Sequence, residues 1–307
     1  MTTAYLHHPA CALHDMGGGH PERPQRVAAI GDRLLASGLA AHLLDVEAPR
    51  ATLEALERVH DRDYLEALAA ASPDHGLVQI DPDTAMNPHT YEAALRAAGA
   101  VVLAVDLVMA GEAVNAFCNV RPPGHHACRA RAMGFCFLNN VAVGAAHALV
   151  HHGLARVAIV DFDVHHGNGT EDIFRDDPRV LMASTFQHPF YPYSGVEGRS
   201  ERMVNVPLAA YSSGAQFRDA VTRTWLPALE AFRPELILFS AGFDAHRDDD
   251  MAMLGLVEDD YAWVTAQVMA VAQRHAHGRI VSALEGGYEL GSLARSAERH
   301  VRTLAGL

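Results

Sequence analysis

The sequence predicts an α/β fold in which helices enclose a parallel sheet. Apolar, β-branched segments such as Arg156–Val160 and Leu236–Ser240 are typical of strands that are buried on both faces. Helical patterns separate these segments along the chain, as expected when crossover helices join parallel strands. Half of the 307 residues are apolar, which suffices for one large core, so we expect a single domain over residues 1–307.

The predicted elements alternate along the chain. Strands are predicted at 4–8, 114–120, 156–160, 180–184, 203–206, 236–240 and 279–284. Helices are predicted at 26–37, 53–59, 63–71, 91–109, 141–151, 216–231, 258–274 and 291–304. Stretches 14–24 and 81–88 are rich in Gly, Pro and polar residues and are predicted to be loops. His147, His151 and His152 are interpreted as surface residues of a helix and its end.

Composition limits the partners that we expect. The formal net charge of −13 argues against a nucleic-acid partner and would attract a cationic substrate. All 24 residues in the Lys plus Arg count are arginine, so the protein cannot be modified on lysines of its own. No apolar run approaches the ~20 residues of a membrane span, so no membrane partner is expected.

The four cysteines form no Cys-X-X-Cys pair, and no signal-peptide pattern is present. We therefore expect reduced thiols and a cytoplasmic protein. An oligomer is compatible with the sequence.

Ionisable residues follow the predicted strand 156–160 directly. Because alternate residues of a strand share a face, Asp161, Asp163 and His165 should point the same way. Two carboxylates and an imidazole this close repel one another unless a cation or protons lie among them. The pattern favours a metal site with an open coordination position.

Three other predicted strands also end in unusual polar residues. His125 and His126 follow one of them in a Pro-Pro-Gly turn, Asp244 follows another, and Tyr288 follows the last after two glycines. Ligands of open parallel sheets bind beyond the carboxyl ends of the strands. We therefore expect these side chains to meet at one edge of the sheet.

The residues expected at this edge suggest a catalytic metal. Asp163, His165 and Asp244 would supply two oxygens and one nitrogen and leave a position for water or a carbonyl oxygen. Zn²⁺ fits this donor set, and so do Fe(II), Mn(II) and Co(II). His125 or His126 would take a proton from bound water and return it to a leaving group.

Two further residues complete the expected chemistry. Asp161 could orient one of the histidines through its ring N–H, and Tyr288 could donate a hydrogen bond to a developing oxyanion. No Ser or Cys nucleophile is needed. Together these residues predict metal-assisted hydrolysis of an amide with water as the nucleophile.

The motifs that carry these residues resemble the zinc-dependent histone deacetylase family, in particular its class II branch and its bacterial deacetylase-like amidohydrolases. The motifs are GHPERP (19–24), RPPGHHA (121–127), GFCFLNN (134–140), DFDVHHGNGT (161–170), SAGFDAH (240–246) and EGGY (285–288). They occur in the family's order along nearly the whole chain. The resemblance implies the three-layer α/β/α arginase/deacetylase fold, with a central, mostly parallel sheet of eight strands, and one zinc ion per chain.

The resemblance also implies roles for the residues at the strand ends. Asp163, His165 and Asp244 match the zinc ligands. His126 matches the general base and acid, and Tyr288 matches the tyrosine that polarises the substrate carbonyl.

Other site residues match the family's supporting positions. His125 matches a second, electrostatic histidine that is paired with Asp161. Asn168 stands where class I enzymes place an Asp beside the general base, and this Asn is the class II state. The resemblance further implies a potassium ion, held by Asp161, Ser184 and neighbouring backbone carbonyls.

Substrate-binding positions are also implied by the resemblance. Gly134 matches the backbone carbonyl that accepts the substrate amide N–H, and Phe135 and Tyr191 match the aromatic pair lining an acyl-lysine tunnel. Arg23 matches the arginine of an inner channel that releases acetate. Gly286 and Gly287, which precede Tyr288, are placed with the substrate-binding residues.

Two substrate classes remain open. Relatives selective for acetylated polyamines resemble this chain but carry a Glu where Met251 stands, which favours an acyl-lysine peptide or protein here. The acidic run Asp248–Asp250 beside it is interpreted as a solvated loop or as a field that attracts a cationic polyamine. A dimanganese ureohydrolase would need additional ligands where Gly167 and Asn168 stand, and a non-catalytic binding protein would be expected to have lost a site residue.

Overall fold

The computed structural model describes residues 2–197 and 200–307. Its strands are β1 (Thr3–His7), β2 (Leu43–Glu47), β3 (Val78–Asp81), β4 (Thr84–Met86), β5 (Asn115–Cys118), β6 (Val157–Asp161), β7 (Val180–Gln187), β8 (Met203–Leu208), β9 (Leu236–Ala241) and β10 (Ile280–Leu284). Its α-helices are α1 (Gln25–Ala36), α2 (Leu53–Glu57), α3 (Arg62–Ala70), α4 (Thr90–Ala110), α5 (Asn140–Val150), α6 (Asn168–Phe174), α7 (Gly214–Ala220), α8 (Leu226–Phe232), α9 (Glu258–His275) and α10 (Leu290–Leu304).

The central sheet has eight strands in the order β2-β1-β5-β10-β9-β6-β7-β8. Every neighbouring pair in it is parallel, so all eight carboxyl ends lie at one edge. The predicted α/β class with a mostly parallel sheet is therefore confirmed. β3 and β4 form a separate antiparallel hairpin.

Helices cover both faces of the sheet, as the continuous apolar strands require. Along β6, Val157 and Ile159 pack into a core with residues of α4 and α5. The intervening Ala158 and Val160 pack into a second core with residues of α1, α9 and α10. This alternation explains why β6 reads as apolar throughout, because each face of the strand meets its own core.

Four elements were not predicted, namely β2, β3, β4 and α6. Strand β2 lies at the edge of the sheet, and its five residues are half-buried or exposed, so its sequence lacks a clear apolar pattern. The expected loop 81–88 contains the buried strand β4. Helix α6 begins at Asn168, inside a motif whose residues indicate chemistry more strongly than helical periodicity.

Helix α4 corrects the expectation that no apolar stretch approaches the length of a membrane span. It is the one helix among residues 2–197 and 200–307 that is long and apolar enough, with 21 residues and a mean hydropathy of 1.9. Arg96 and Asp106 interrupt its apolar run in the sequence but lower the mean only slightly. Val101 and Val105 are fully buried in the core, and a core helix of this kind meets the same length and composition criteria.

Candidate active site

Three of the predicted ligands meet at the carboxyl edge of the sheet. β6 and β9 are neighbours, so the segments that follow them lie side by side. Asp163 and His165 follow β6, and Asp244 follows β9. One ligand atom from each lies within 4.8 Å of the others, and all three residues are buried. The structure therefore brings together residues that are far apart in the sequence, since Asp163 and Asp244 are separated by 81 positions.

Hydrogen bonds fix the two carboxylates and leave one oxygen free. Nδ1 of His165 lies 3.0 Å from Oδ1 of Asp163 and 3.2 Å from Oδ2 of Asp244. The other oxygens accept backbone N–H groups, with Gly286 N 2.9 Å from Asp163 Oδ2 and Val164 N 2.9 Å from Asp244 Oδ1. Oδ2 of Asp244 is buried and accepts no hydrogen bond from residues 2–197 or 200–307. These donors fit a divalent cation such as zinc, because the unbonded oxygen and the imidazole nitrogen face the same point.

Electrostatics at this cluster favour positive charge. Burial and the charge of Asp163 raise the pKa of Asp244 to about 6. Burial opposes charge on His165 as well, but the adjacent carboxylates of Asp163 and Asp244 raise its pKa to about 10. Two carboxylates in a buried space thus stabilise a nearby cation, whether this is a proton or a metal ion.

Two glycines allow the backbone to approach these carboxylates closely. A Cβ atom on Gly286 would lie 2.0 Å from Oδ2 of Asp244, and one on Gly242 would lie 2.0 Å from Oδ2 of Asp163. Any side chain at either position would displace a carboxylate. Gly286, predicted to bind substrate, therefore contacts the candidate ligands directly.

The two adjacent histidines are oriented by different partners. Nδ1 of His125 lies 3.0 Å from Oδ2 of Asp161, and Nδ1 of His126 lies 2.7 Å from Oδ1 of Asn168. Their rings are 4.1 Å apart between centroids. Both rings are buried, and each keeps its Nε2 for another contact.

The two histidines have opposite pKa shifts. Burial and the positive charges of His125 and His165 hold the pKa of His126 well below its usual value. Burial also disfavours charge on His125, but Asp163 and Asp161 outweigh this and raise its pKa well above its usual value. A neutral imidazole beside a charged one is suited to accept a proton while its neighbour supplies positive charge.

Glu285 holds the turn that carries this histidine pair and was not predicted. Its carboxylate accepts backbone N–H groups from Gly124 at 2.6 Å and from His125 at 3.1 Å. The residue is fully buried, and burial raises the pKa of its carboxyl to about 7. The motif EGGY marks the position in the sequence, but nothing in the motif shows which turn the side chain reaches.

Asp249 holds the backbone of Tyr288 and was also missed. Its Oδ2 accepts N–H groups from Tyr288 at 2.6 Å and from Glu289 at 3.0 Å. The residue is 4% exposed, whereas Asp248 and Asp250 are exposed. The interpretation of this acidic run as a solvated loop is thus wrong for its middle residue, which the residue types alone do not distinguish.

The structure corrects the position of the inner arginine. Arg23 precedes helix α1, is exposed, and lines a surface cavity of about 350 Å³ together with Tyr288. Arg26 is fully buried instead, with its guanidinium carbon 4.9 Å from the centroid of the Tyr288 ring. It donates to the carbonyl of Gly287 at 2.5 Å and to that of Glu285. The predicted site residue Gly287 therefore contacts Arg26 through its backbone.

Residues of the expected tunnel lie against the histidine pair. Gly134 has a left-handed backbone (φ +57°), and a Cβ atom there would lie 2.5 Å from Cδ2 of His126. Phe135 also has a left-handed backbone (φ 68°), and its N–H donates to Oγ1 of Thr84 at 2.9 Å. Its ring is 6.0 Å from that of Tyr288. Close packing beside His126 thus requires glycine at position 134.

Tyr191 and the neighbouring Phe190, which was not predicted as a site residue, both pack against histidine rings. The Tyr191 ring meets the His126 ring edge-on at 5.3 Å, and its buried hydroxyl has no hydrogen-bond partner within the described part of the chain. Phe190 stacks on His165 at 5.5 Å with an interplanar angle of 21°. Met251 is half-buried and donates its N–H to Oδ1 of Asp249 at 3.0 Å.

The residues expected at the potassium site are also neighbours. Asp161 of β6 lies opposite Ser184 of β7, and both are fully buried. Oγ of Ser184 has no hydrogen-bond partner among the described residues. An unbonded hydroxyl beside a buried carboxylate fits a site for a hard cation.

Comparison with known proteins agrees with this geometry. The family profile described as histone deacetylase domain matches residues 20–304. A histone deacetylase-like amidohydrolase of Pseudomonas aeruginosa is 44% identical over 279 residues, which cover 88% of this chain and 73% of the relative. A probable deacetylase of Archaeoglobus fulgidus is 36% identical over 94% of this chain and 82% of its own length.

Two further matches extend the comparison. The human polyamine deacetylase HDAC10 is 38% identical over 93% of this chain and 44% of its own length. The crystal structure of the HDA15 HD domain superposes with a TM-score of 0.92 at 32% identity, covering 100% of this chain and 90% of the other.

Proposed function

The chain belongs to the histone deacetylase family and is a deacetylase hydrolase, and from this premise we propose that it is a zinc-dependent amidohydrolase that removes acetyl or other short acyl groups from acyl-lysine-type amides. The observation that carries the proposal is the buried, unbonded Oδ2 of Asp244 beside Nδ1 of His165. With Asp163 these atoms make a three-donor set, which leaves a position for water or a carbonyl oxygen.

The protein's own groups would move the protons. Bound Zn²⁺ would supply Lewis-acid chemistry, polarising the acyl carbonyl and making a bound water more acidic. Nε2 of His126 would accept the proton of the attacking water, because Nδ1 is held by Asn168 at 2.7 Å. The same nitrogen would then give the proton to the leaving amine. His125, held by Asp161 at 3.0 Å, would keep positive charge next to this transfer.

Tyr288 would stabilise the oxygen of the acyl group. Its backbone is fixed by Asp249, and its ring lies between Arg26 and Phe135. A hydroxyl positioned in this way can donate a hydrogen bond as negative charge develops on the carbonyl oxygen. The carbonyl of Gly134 would accept the substrate amide N–H.

Aromatic rings would enclose the acyl chain. Phe190 and Tyr191 pack against the rings of His126 and His165, and Phe135 lies beside Tyr288, so a linear alkyl chain could pass between apolar walls. The unpartnered hydroxyl of Tyr191 would give one wall a polar group. We also propose that K⁺ occupies the site beside Asp161 and Ser184, where it would neutralise the buried carboxylate that orients the second histidine.

The acyl-lysine class is favoured over acetylated polyamines by what surrounds Met251. Its thioether offers no anchor for a distal ammonium. Of the acidic run beside it, Asp249 is engaged with the backbone of Tyr288, and Asp248 lies 3.3 Å from Arg295. The exposed Asp250 and the human polyamine deacetylase relative support polyamines as the second candidate.

A substrate panel tests the proposal. The purified chain, loaded with one equivalent of Zn²⁺, would be given an acetyl-lysine peptide, acetylspermidine and acetylputrescine, and acetate release would be measured. We expect kcat/KM for the peptide to exceed that for either polyamine by roughly tenfold or more. The reverse order would replace the substrate class, and no acetate from any of the three with zinc bound would contradict the reaction itself.

A pair of variants tests whether the residue at position 251 selects the substrate. Met251→Glu should raise relative turnover of acetylspermidine, because a carboxylate there could bind the distal ammonium. Met253→Glu is the matched control, since Met253 is 41% exposed two residues further along. Equal changes in both variants would show that general surface charge, and not position 251, selects the substrate.

A further inference from the structure

A second group of metal-ligating side chains lies away from the catalytic edge. Asp106 belongs to α4, and His147 belongs to the last turn of α5, which is followed by His151 and His152. α5 ends before β6 begins, so the group lies near the amino-terminal edge of the sheet, opposite the strand ends that carry the catalytic residues. We call these four residues the helix cluster.

The helix cluster converges on one carboxylate oxygen. Oδ1 of Asp106 lies 2.7 Å from Nε2 of His147 and 2.7 Å from Nε2 of His152. The His151 ring stacks on His147 with centroids 4.8 Å apart and meets His152 at 4.9 Å. One ligand atom from each of the four residues lies within 4.8 Å of the others. His147 and His151 are four residues apart, a spacing that places both imidazoles on one helical face.

We propose that the helix cluster binds one Zn²⁺ ion in addition to the ion of the active site. Three imidazoles and one carboxylate make a four-donor set, which suits tetrahedral zinc without an open position. The site is accessible from solvent, since the side chain of Asp106 is 41% exposed and that of His152 is 20% exposed. The side chain of His147, at 9%, would anchor the ion to the core.

Arg58 opposes the ion, and it supplies a sharp test. Its guanidinium lies 3.0 Å from Nδ1 of His147. When Nε2 of His147 binds the ion, Nδ1 must carry the proton, so the guanidinium must turn away. It has another partner, because it also donates to Glu54 at 2.8 Å. A side chain at position 58 with a carbonyl acceptor would favour the bound state instead.

The bound ion would connect two helices and would not perform chemistry. Asp106 and the histidines lie on different helices that pack together, so a shared ion would cross-link α4 to α5. Four protein donors leave no position for substrate. We therefore expect zinc at this site to raise thermal stability and to leave turnover unchanged.

The experiment counts zinc on the full chain. Wild type and Asp106→Asn/His152→Gln would be dialysed against buffered free Zn²⁺, and bound zinc per chain would be measured by mass spectrometry. We expect the double variant to hold one ion fewer, with kcat within twofold of wild type. At a free zinc concentration about a hundredfold above the Kd of the helix cluster, zinc should raise the Tm of wild type by roughly 5 °C more than it raises the Tm of the variant.

Two controls separate the helix cluster from other sites. His7→Asn/Asp45→Asn removes a surface pair with a 3.0 Å contact but only one imidazole, and should leave the zinc count unchanged. Arg58→Gln should bind the second ion roughly tenfold more tightly, through the added acceptor for Nδ1 of His147. The inference is overturned if the Asp106/His152 variant keeps the zinc count and the Tm response of wild type. The difference in bound zinc between wild type and the Asp106/His152 variant should be the same whether or not zinc occupies the active site.

Discussion

The active-site donors and the helix cluster differ in what holds them in place. Asp163 and Asp244 follow buried parallel strands, and backbone N–H groups of Gly286 and Val164 fix one oxygen of each. In the helix cluster the side chains hold one another through Asp106 at a partly exposed surface. Backbone contacts thus hold a set of three donors in the active site, whereas contacts between side chains hold a set of four in the helix cluster.

Because of this difference, we expect a metal ion to support catalysis at the active site and to add only stability at the helix cluster. The three active-site donors lie near His126 and Tyr288, which we propose to act on a bound acyl group. The helix cluster has four donors and no acid, base or tunnel next to it among the described residues. A metal ion can be catalytic only where a coordination position and a proton acceptor are both available.

Removing one donor from each site should give the largest contrast. Asp244→Ala should lower kcat by at least ~10³-fold and release the active-site zinc, because the remaining two donors no longer hold the ion. Asp106→Ala should leave kcat within twofold. Steady-state kinetics with metal analysis measures both. Similar losses of activity in the two variants would remove the distinction between the sites.

Replacing the proton acceptor should abolish turnover without releasing zinc. His126→Ala removes the imidazole held by Asn168, and kcat should fall by roughly 10²–10⁴-fold. The zinc content should match wild type, since His126 is not among the donors. His151→Ala is the control at the helix cluster, where loss of an imidazole should not affect kcat. A near-normal rate for His126→Ala would refute its role as the base.

Removing the hydroxyl of Tyr288 should have a somewhat smaller effect. Tyr288→Phe keeps the ring between Arg26 and Phe135, so the fold of the loop should persist. Loss of one oxyanion donor should lower kcat by roughly 10²–10³-fold. Kinetics on an acetyl-lysine peptide checks this, and a change confined to KM would count against the assignment.

Weakening the support of that tyrosine should give the smallest effect. Asp249→Asn replaces a carboxylate that accepts the N–H groups of Tyr288 and Glu289 with a weaker acceptor. We expect kcat to fall by roughly tenfold with little change in KM. Asp248→Asn should be nearly silent, since Asp248 is exposed. Equal losses in both would attribute the effect to loop charge.

Much of the active site could be predicted because apolar runs in the sequence show where the buried strands end. Apolar runs locate buried strands, and parallel strands place their carboxyl ends together, so Asp163, His165 and Asp244 could be paired before any coordinates. The comparisons and the sheet confirm the family and the fold that the motifs predict.

The residues that escaped prediction depend on distances within helices and loops. Arg23 and Arg26 lie three residues apart, and only the start of α1 decides which of them is buried. The middle residue of three aspartates is buried because the loop turns inward there. His147 and Asp106 are 41 positions apart on packed helices, and sequence periodicity does not give the angle at which two helices cross.

One short segment has a wider consequence for how this enzyme can change. Glu285 supports the histidine turn, Gly286 supports a candidate zinc ligand, Gly287 accepts a hydrogen bond from Arg26, and Tyr288 carries the hydroxyl that we propose binds the acyl oxygen. Acid–base strength, ion affinity and oxyanion binding therefore all depend on one short segment, residues 285–288. Substitutions within it should be strongly non-additive in double-mutant cycles. Natural variation in substrate preference is then expected to accumulate in the surrounding loops, where one property can shift without disturbing the others.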